Sequence, residues 1–258
     1  MDTPITEKEV EQVPAPEVLS AEDRAKLPIL EEMLKAGGAY GRKKSKLNPK
    51  MKPYIFTVRG GMAIFDLSKT LEGIEKAIEF AKEKMAKGGK ILIVGTQPAA
   101  KDLARKFAED LKQFFVVERW LGGTLTNFKT IGTRVAHFKK LKEEREAGKF
   151  EKYTKKERLL LDRDILKFTA LFGGVENMDS LPSIVFVIDP VVHETALREA
   201  KKTNIPVISL LSSDANPDPV QYPVAGNTGA RSAITWILNK FMEGLKDVKI
   251  ETTTKPVA

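Results

Sequence analysis

The sequence predicts an α/β protein: a parallel, doubly wound sheet with an antiparallel helical hairpin inserted into it. Three observations predict this. Strand-like runs alternate with amphipathic helical patterns along most of the chain. Those runs are apolar throughout, as strands covered on both faces must be. The alternation is broken once, where two helical patterns follow each other with no strand between them.

Up to Asp23 the chain holds seven acidic residues, one lysine, and Pro4, Pro14 and Pro16, without a sustained apolar period. Residues 1–24 are therefore expected to be a disordered acidic extension, ahead of an α/β domain over residues 25–246. Leu27, Leu30, Met33 and Leu34 mark a short amphipathic helix that Gly37-Gly38 ends. Ala39 to Arg59 reads as a basic loop, because the prolines of Asn48-Pro49 and Lys52-Pro53 push the residues before them towards extended geometry. Met62–Phe65 is expected to be the first buried strand of the parallel sheet. Asp66, Ser68 or Thr70 can cap the next helix, whose apolar face is Leu71, Ile74, Ile78, Ala81 and Met85. A second strand over Lys90–Val94, a helix from Pro98 to about Lys112, and a third strand over Phe114–Val117 follow.

Arg119 to Thr130 joins this third strand to a helix through a basic and aromatic pair, a double glycine and several hydroxyl and amide side chains. Beyond it, Ile131, Val135, Phe138 and Leu141 line one helix. Thr154-Lys155-Lys156-Glu157 has the form of a capping box opening a second, lined by Leu161, Ile165, Phe168 and Phe172. Two helices of about 18 residues, each ~27 Å long, joined by a short loop fold back on each other. The hairpin is placed at about residues 127–173. Alternation resumes with a strand at Ile184–Ile188, a helix from Pro190 to about Thr203, a strand at Val207–Leu211, a proline-rich loop, and a helix from about Gly229 to Gly244. Five parallel strands result, and residues 247–258 are expected to be a disordered tail.

Catalytic and cofactor chemistry finds little support. The chain has no cysteine, which excludes disulfides, thiolate zinc sites and cysteine nucleophiles and suits a reducing cytoplasm. The turns after strands lack Gly-x-Gly-x-x-Gly, and Gly89-Lys90 is followed by Ile91 and a strand, unlike a phosphate-binding loop. His137 and His193 have no matching acid or nucleophile nearby in sequence and read as solvated or packed side chains. Asp66 and Asp189 stand at the carboxyl ends of strands but suit helix capping, with Pro190 at a first helical position. Asp214, Asn216 and Asp218 are spaced like the start of a calcium loop, yet Pro217 and Pro219 interrupt it and the distal glutamate is missing. No cofactor and no metal are expected. The longest aliphatic or aromatic run, Ile184–Ile188, is far below the roughly 20 residues of a spanning helix, so no membrane is expected as a partner.

The charge distribution is more informative. Net charge is +8, and Met33 to Phe65 contains no acidic residue while Lys35, Arg42, Lys43, Lys44, Lys46, Lys50, Lys52 and Arg59 supply eight positive charges. The rest of the chain balances at 35 basic and 35 acidic residues. Concentrated lysine and arginine attract a polyanion, and a loop can follow an irregular RNA backbone. Expected RNA contacts are Arg42, Lys43, Lys44, Lys46, Asn48, Lys50, Lys52 and Arg59 in this segment. Arg119, Trp120, Asn127 and Lys129 are expected to add charge, stacking and hydrogen bonds at the joint between sheet and hairpin, with Trp120 equally suited to anchoring that joint.

Asn48-Pro49-Lys50-Met51-Lys52-Pro53-Tyr54-Ile55, Asp66–Thr70, Gly89–Leu92 with Val94–Thr96, Arg119–Thr130, Ile188–Pro190, Ile205–Val207, and Tyr222-Pro223 with Gly226-Asn227 occur in this order. In these residues the chain resembles the second protein of the small ribosomal subunit in its bacterial form, the universal uS-two family. The resemblance implies a flavodoxin-like (Rossmann-like) parallel sheet with the inserted hairpin and a non-enzymatic role. It also implies binding to small-subunit rRNA, contact with neighbouring small-subunit proteins including the large mRNA-capturing protein, and residence on the cytoplasmic ribosome. Ala39 and Arg42 stand where the family usually has two histidines, and Leu47 replaces an aromatic. Alternatives from other classes are a free-standing RNA-binding protein and a nucleotide-binding α/β enzyme.

Overall fold

The computed structural model describes residues 21–246. Of the extension expected over residues 1–24, residues 1–20 lie outside the described residues, while 21–24 belong to the first helix; the tail from residue 247 also lies outside. The helices are α1 (Ala21–Lys35), α2 (Leu67–Ala86), α3 (Lys101–Asp110), α4 (Phe128–Glu146), α5 (Lys155–Phe172), α6 (Glu194–Lys202) and α7 (Arg231–Leu245). The strands are β1 (Tyr40–Lys43), β2 (Ile55–Arg59), β3 (Met62–Phe65), β4 (Ile91–Val94), β5 (Phe114–Val116), β6 (Ile184–Ile188), β7 (Val207–Leu211) and β8 (Tyr222–Ala225).

Five strands form a parallel sheet in the order β5-β4-β6-β7-β8. Numbered along the chain this is 2-1-3-4-5, the flavodoxin-like order, with a topological switch between β4 and β6. Successive side chains serve opposite faces. Ile91 and Ile93, Ile184, Phe186 and Ile188, and Ile208 and Leu210 pack with α2, α3 and α7. Leu92 and Val94, Val185 and Val187, and Val207 and Leu211 pack with α6 and the base of the hairpin. Both faces are dry, which is why these runs lack a polar alternation.

The parallel sheet has the five strands expected, but one member differs. Met62–Phe65 does not join the parallel sheet. It is the centre of a separate antiparallel sheet, β1-β3-β2, built largely from the segment expected to be a basic loop. Arg59-Gly60-Gly61-Met62 makes the connection: both glycines have positive φ (56° and 75°), as a two-residue hairpin matching strand twist demands. Between β1 and β2 lie two 3-10 turns, Lys44–Lys46 and Pro49–Tyr54, the second capped by the Asn48 side chain. The fifth parallel strand is β8, inside the stretch read as a proline-rich loop. Its Pro223 is tolerated because β8 is an edge strand.

The hairpin forms as the periodicity requires. Ile131, Val135, Phe138 and Leu141 of α4 are buried, with Ile165 and Phe172 of α5, while Leu161 and Phe168 are partly buried against the same core. Thr154 and Glu157 make the reciprocal capping box, and Phe150 fills the space inside the tip. Helices α3 and α6 start later than Pro98 and Pro190 suggested, because each is preceded by a turn. At the hairpin's return, Gly174 lies against Phe115: its carbonyl accepts from the Phe115 N–H at 3.0 Å, and an added Cβ would sit 2.2 Å from the Phe115 carbonyl oxygen. Gly174→Ala must therefore push the hairpin exit away from β5. We expect a loss of about 2–3 kcal/mol in stability, measured as a lowered urea midpoint at unchanged m-value.

Candidate nucleic-acid interface

The carboxyl ends of the parallel strands carry both groups of residues picked out by sequence. At the end of β5, the loop from Arg119 to Asn127 is gathered by one buried carboxylate that sequence reading missed. Glu199 of α6, 6% exposed, accepts at Oε1 from the Trp120 indole N–H (3.0 Å) and the Gly123 N–H (2.9 Å). Its Oε2 accepts from the Leu125 N–H (3.0 Å) and from the N–H and hydroxyl of Thr126 (both 3.4 Å). Burial alone would raise the Glu199 pKa. The donations from Gly123, Trp120, Leu125 and Thr126 together outweigh it and hold the carboxyl below its ordinary value. One available signal was its position among Ala196, Leu197 and Ala200 on the inward face of α6, where a lone acid needs partners.

This arrangement decides what the joint residues do. Trp120 is partly buried, with its N–H committed to Glu199, so it anchors the loop. Gly123 supplies a positive φ of 92°. Asn127 occupies the cap position of α4, but its side chain makes no capping bond to the helix backbone; it accepts from the Thr130 hydroxyl at 2.8 Å. Thr126 serves Glu199 and not the helix start. The helix thus starts without a side-chain cap, and the loop before it is held by a carboxylate from a neighbouring helix. Arg119, Asn127 and Lys129 remain exposed at this corner.

At the switch point, where doubly wound sheets hold ligands, the chain fills its own crevice. Asp189, 1% exposed and with φ of 62°, follows β6. Its Oδ2 accepts from Gln97 (2.6 Å), the Thr228 hydroxyl (3.0 Å) and the Arg42 guanidinium (3.4 Å), and its Oδ1 from the Val191 N–H (3.1 Å). Contrary to the expectation from sequence, Asp189 does not cap α6, whose cap position is His193; it holds the preceding turn through Val191, and Pro190 lies in that turn. His193 is packed. Its Nε2 accepts from the Thr96 N–H at 3.2 Å, which leaves the proton on Nδ1 to donate to the Asp189 carbonyl at 2.9 Å. Burial pushes its pKa down, against the opposing influence of Asp189, so the ring is held neutral.

The basic segment is mounted on this edge. The Arg42 N–H donates to the Ser213 hydroxyl at 2.7 Å, and the Asn48 N–H donates to the Ser213 carbonyl at 2.9 Å. Arg42 also lies 4.0 Å from Asp214. Lys43, Lys44, Lys46, Lys50, Lys52 and Arg59 are exposed, and Lys50 pairs with Asp218. Asn48 caps its own 3-10 turn by accepting from the Lys50 N–H. The structure thus mounts the first group over the ends of β6 and β7 and the second at the end of edge strand β5, as separate places on one rim. The neighbouring cleft of about 530 Å³ mixes Glu194, Asp214 and Asp218 with Arg198 and Lys201, a poor cradle for phosphate. Among the described residues, no three His, Asp or Glu side chains are placed to hold a metal ion, and no helix is long and apolar enough to cross a membrane.

The sequence profile of ribosomal protein S2 matches residues 33–247, from the last turns of α1 to just beyond α7. This chain belongs to the ribosomal protein S2 family. Small ribosomal subunit protein uS2 of Chloroflexus aurantiacus (strain ATCC 29366 / DSM 635 / J-10-fl) is 40% identical over 226 residues, 88% of this chain and 93% of that protein. Small ribosomal subunit protein uS2 of Roseiflexus sp. (strain RS-1) is 40% identical over 218 residues, 84% of this chain and 83% of its own. That of Roseiflexus castenholzii is 39% identical over the same length. The family match contains both the Glu199 joint and the Asp189 node.

The Glu199 contacts make a pH-dependent contribution. A carboxyl whose pKa is lowered on folding stabilises the fold above its ordinary value of 4.5, and that stability is lost as pH falls through the lower, folded value. Glu199→Gln keeps the shape but turns an amide donor towards the loop. At neutral pH we expect it to cost about 2–3 kcal/mol, with the difference from wild type narrowing below pH ~4. Urea midpoints across pH measure both.

Proposed function

We propose that this protein is a structural constituent of the small ribosomal subunit that contacts rRNA through the β1-turn-β2 segment and the hairpin joint. The observation that carries the RNA assignment is the acid-free run from Met33 to Phe65, whose lysines stand exposed on a unit fastened to the rim of the sheet. A lysine-rich turn held at its base by Arg42, Asn48 and Ser213 presents charge in a defined place, so phosphate contact costs less ordering than a loose tail would. The uS2 name of the relatives supports assembly into the small subunit. We extend it to neighbouring small-subunit proteins, including the large mRNA-capturing protein, as partners. A scaffold role rather than catalysis fits the family and the switch-point crevice occupied by Arg42, Gln97 and Thr228.

The test is quantitative. Changing Lys43, Lys44, Lys46 and Lys52 to glutamine should weaken binding to small-subunit rRNA and reduce the slope of log affinity against log salt by about 3, at ~0.7–0.9 per phosphate contact. Lys50→Gln alone should change the slope by less than ~0.5, because Asp218 already engages that ammonium. An unchanged slope in the fourfold variant would remove the basic segment from the interface. Sedimentation separates subunit membership from free RNA binding: the protein should travel with the small subunit and be released by high salt.

A further inference from the structure

We propose that the outward face of the β1-β3-β2 sheet is a stacking platform for unpaired bases of single-stranded RNA. This deepens the RNA-contact reading above and rests on it. Paired residues in a sheet point to the same side, and here Tyr40 and Thr57 both pair with Ile64, while Lys43 and Arg59 both pair with Met62. The intervening Ala63 and Phe65 are buried, so the other side faces out. Tyr40 is 50% and Met62 41% exposed there, and Phe56, which falls at the register shift between Ile55 and the outward Thr57, is 77% exposed. A bulge re-aims a side chain, and among the described residues the Phe56 ring is not part of either hydrophobic core.

Charge identifies the partner. Lys43 and Arg59 flank the outward face in register, and no acidic residue lies anywhere on the three strands. Rings beside positive charges match sequence-tolerant stacking with phosphate contacts alongside. The two rings belong to outer strands separated by β3, so their backbones are ~10 Å apart, two strand spacings. Bases stacked on one another at ~3.4 Å cannot reach both. Each ring therefore takes a base from a splayed strand, and a duplex, whose bases are covered by their neighbours, has none to offer.

The experiment uses the full chain, a single-stranded RNA containing 2-aminopurine, and a blunt RNA duplex of equal charge. Tyr40→Ala and Phe56→Ala should leave the urea midpoint close to wild type, because both rings are exposed. Together they should weaken single-strand binding by ~10-fold or more and abolish quenching of 2-aminopurine, with the duplex affinity and the salt slope unchanged. Phe56→Trp should restore both readouts. If the alanine variants bind the single strand as wild type does while the lysine variants still lower the slope, the platform is refuted and the basic interface stands. If neither set changes binding, both fall. Loss of a neighbouring small-subunit protein from co-sedimentation, with RNA binding intact, would make the face a protein dock and also overturn the proposal.

Discussion

The Glu199 carboxylate is the constraint on which the placement of the hairpin depends. A loop leaving a short edge strand has backbone donors that point away from any ladder, and without partners each buried one would cost about 1–3 kcal/mol. Glu199 accepts from three of those N–H groups and from the Trp120 indole, across more than 70 residues of sequence. Because it sits on the crossover helix between β6 and β7, the start of α4 is referenced to the centre of the sheet and not merely to β5. The hairpin is an insertion in sequence, yet its origin is fixed by the core fold.

A second carboxylate, Asp189, does the corresponding work at the switch point. In a doubly wound sheet this crevice is open by construction, since neighbouring connections leave on opposite faces. Here Gln97, Thr228 and Arg42 converge on a single oxygen of Asp189. Arg42 belongs to β1, so the same contact that closes the crevice also docks the antiparallel sheet and its lysine-rich turn. The position at which such sheets hold ligands serves here as an attachment point. The RNA contact proposed above would then fall outside the crevice, on exposed charge, as suits a polyanion too large for any pocket. The neutral tautomer of His193, set by Thr96 and the Asp189 carbonyl, fixes the adjoining turn without adding charge beside this node.

Much of this was legible along the chain. Uniformly apolar runs at Ile91–Val94, Ile184–Ile188 and Val207–Leu211 announced parallel strands buried on both faces, and the Thr154–Glu157 box located the start of α5 within a residue. The misreadings have specific causes. Pro49 and Pro53 argue locally for a loop, which hides Ile55–Arg59 although it is rich in β-branched and aromatic residues and leads into Gly60-Gly61. Pro223 hid β8 because a proline argues against a central strand, and nothing local says that a strand is at an edge. Of the candidate site, the exposed lysines and arginines were visible as an acid-free run. Glu199, Ser213, Gln97 and Thr228 were not, because each acts on a partner far away in sequence.

By itself, then, the sequence determined the fold class, the hairpin insertion, the location of the positive charge and, through its motifs, the family. These depend on local periodicity, turn chemistry and composition, which are properties of neighbouring residues. The tertiary structure alone decided which strands share a sheet, that Trp120 faces a carboxylate, that Arg42 is spent partly on Asp189, and that Tyr40, Phe56 and Met62 emerge on one exposed sheet. Strand order and buried polar pairing join residues brought together only when the chain closes on itself, and a local pattern carries no record of which distant donor will arrive at an acceptor. The Arg119–Thr130 stretch illustrates the division. Its glycines and polar side chains mark a turn, but it becomes the fixed root of the hairpin only when Glu199 is beneath it.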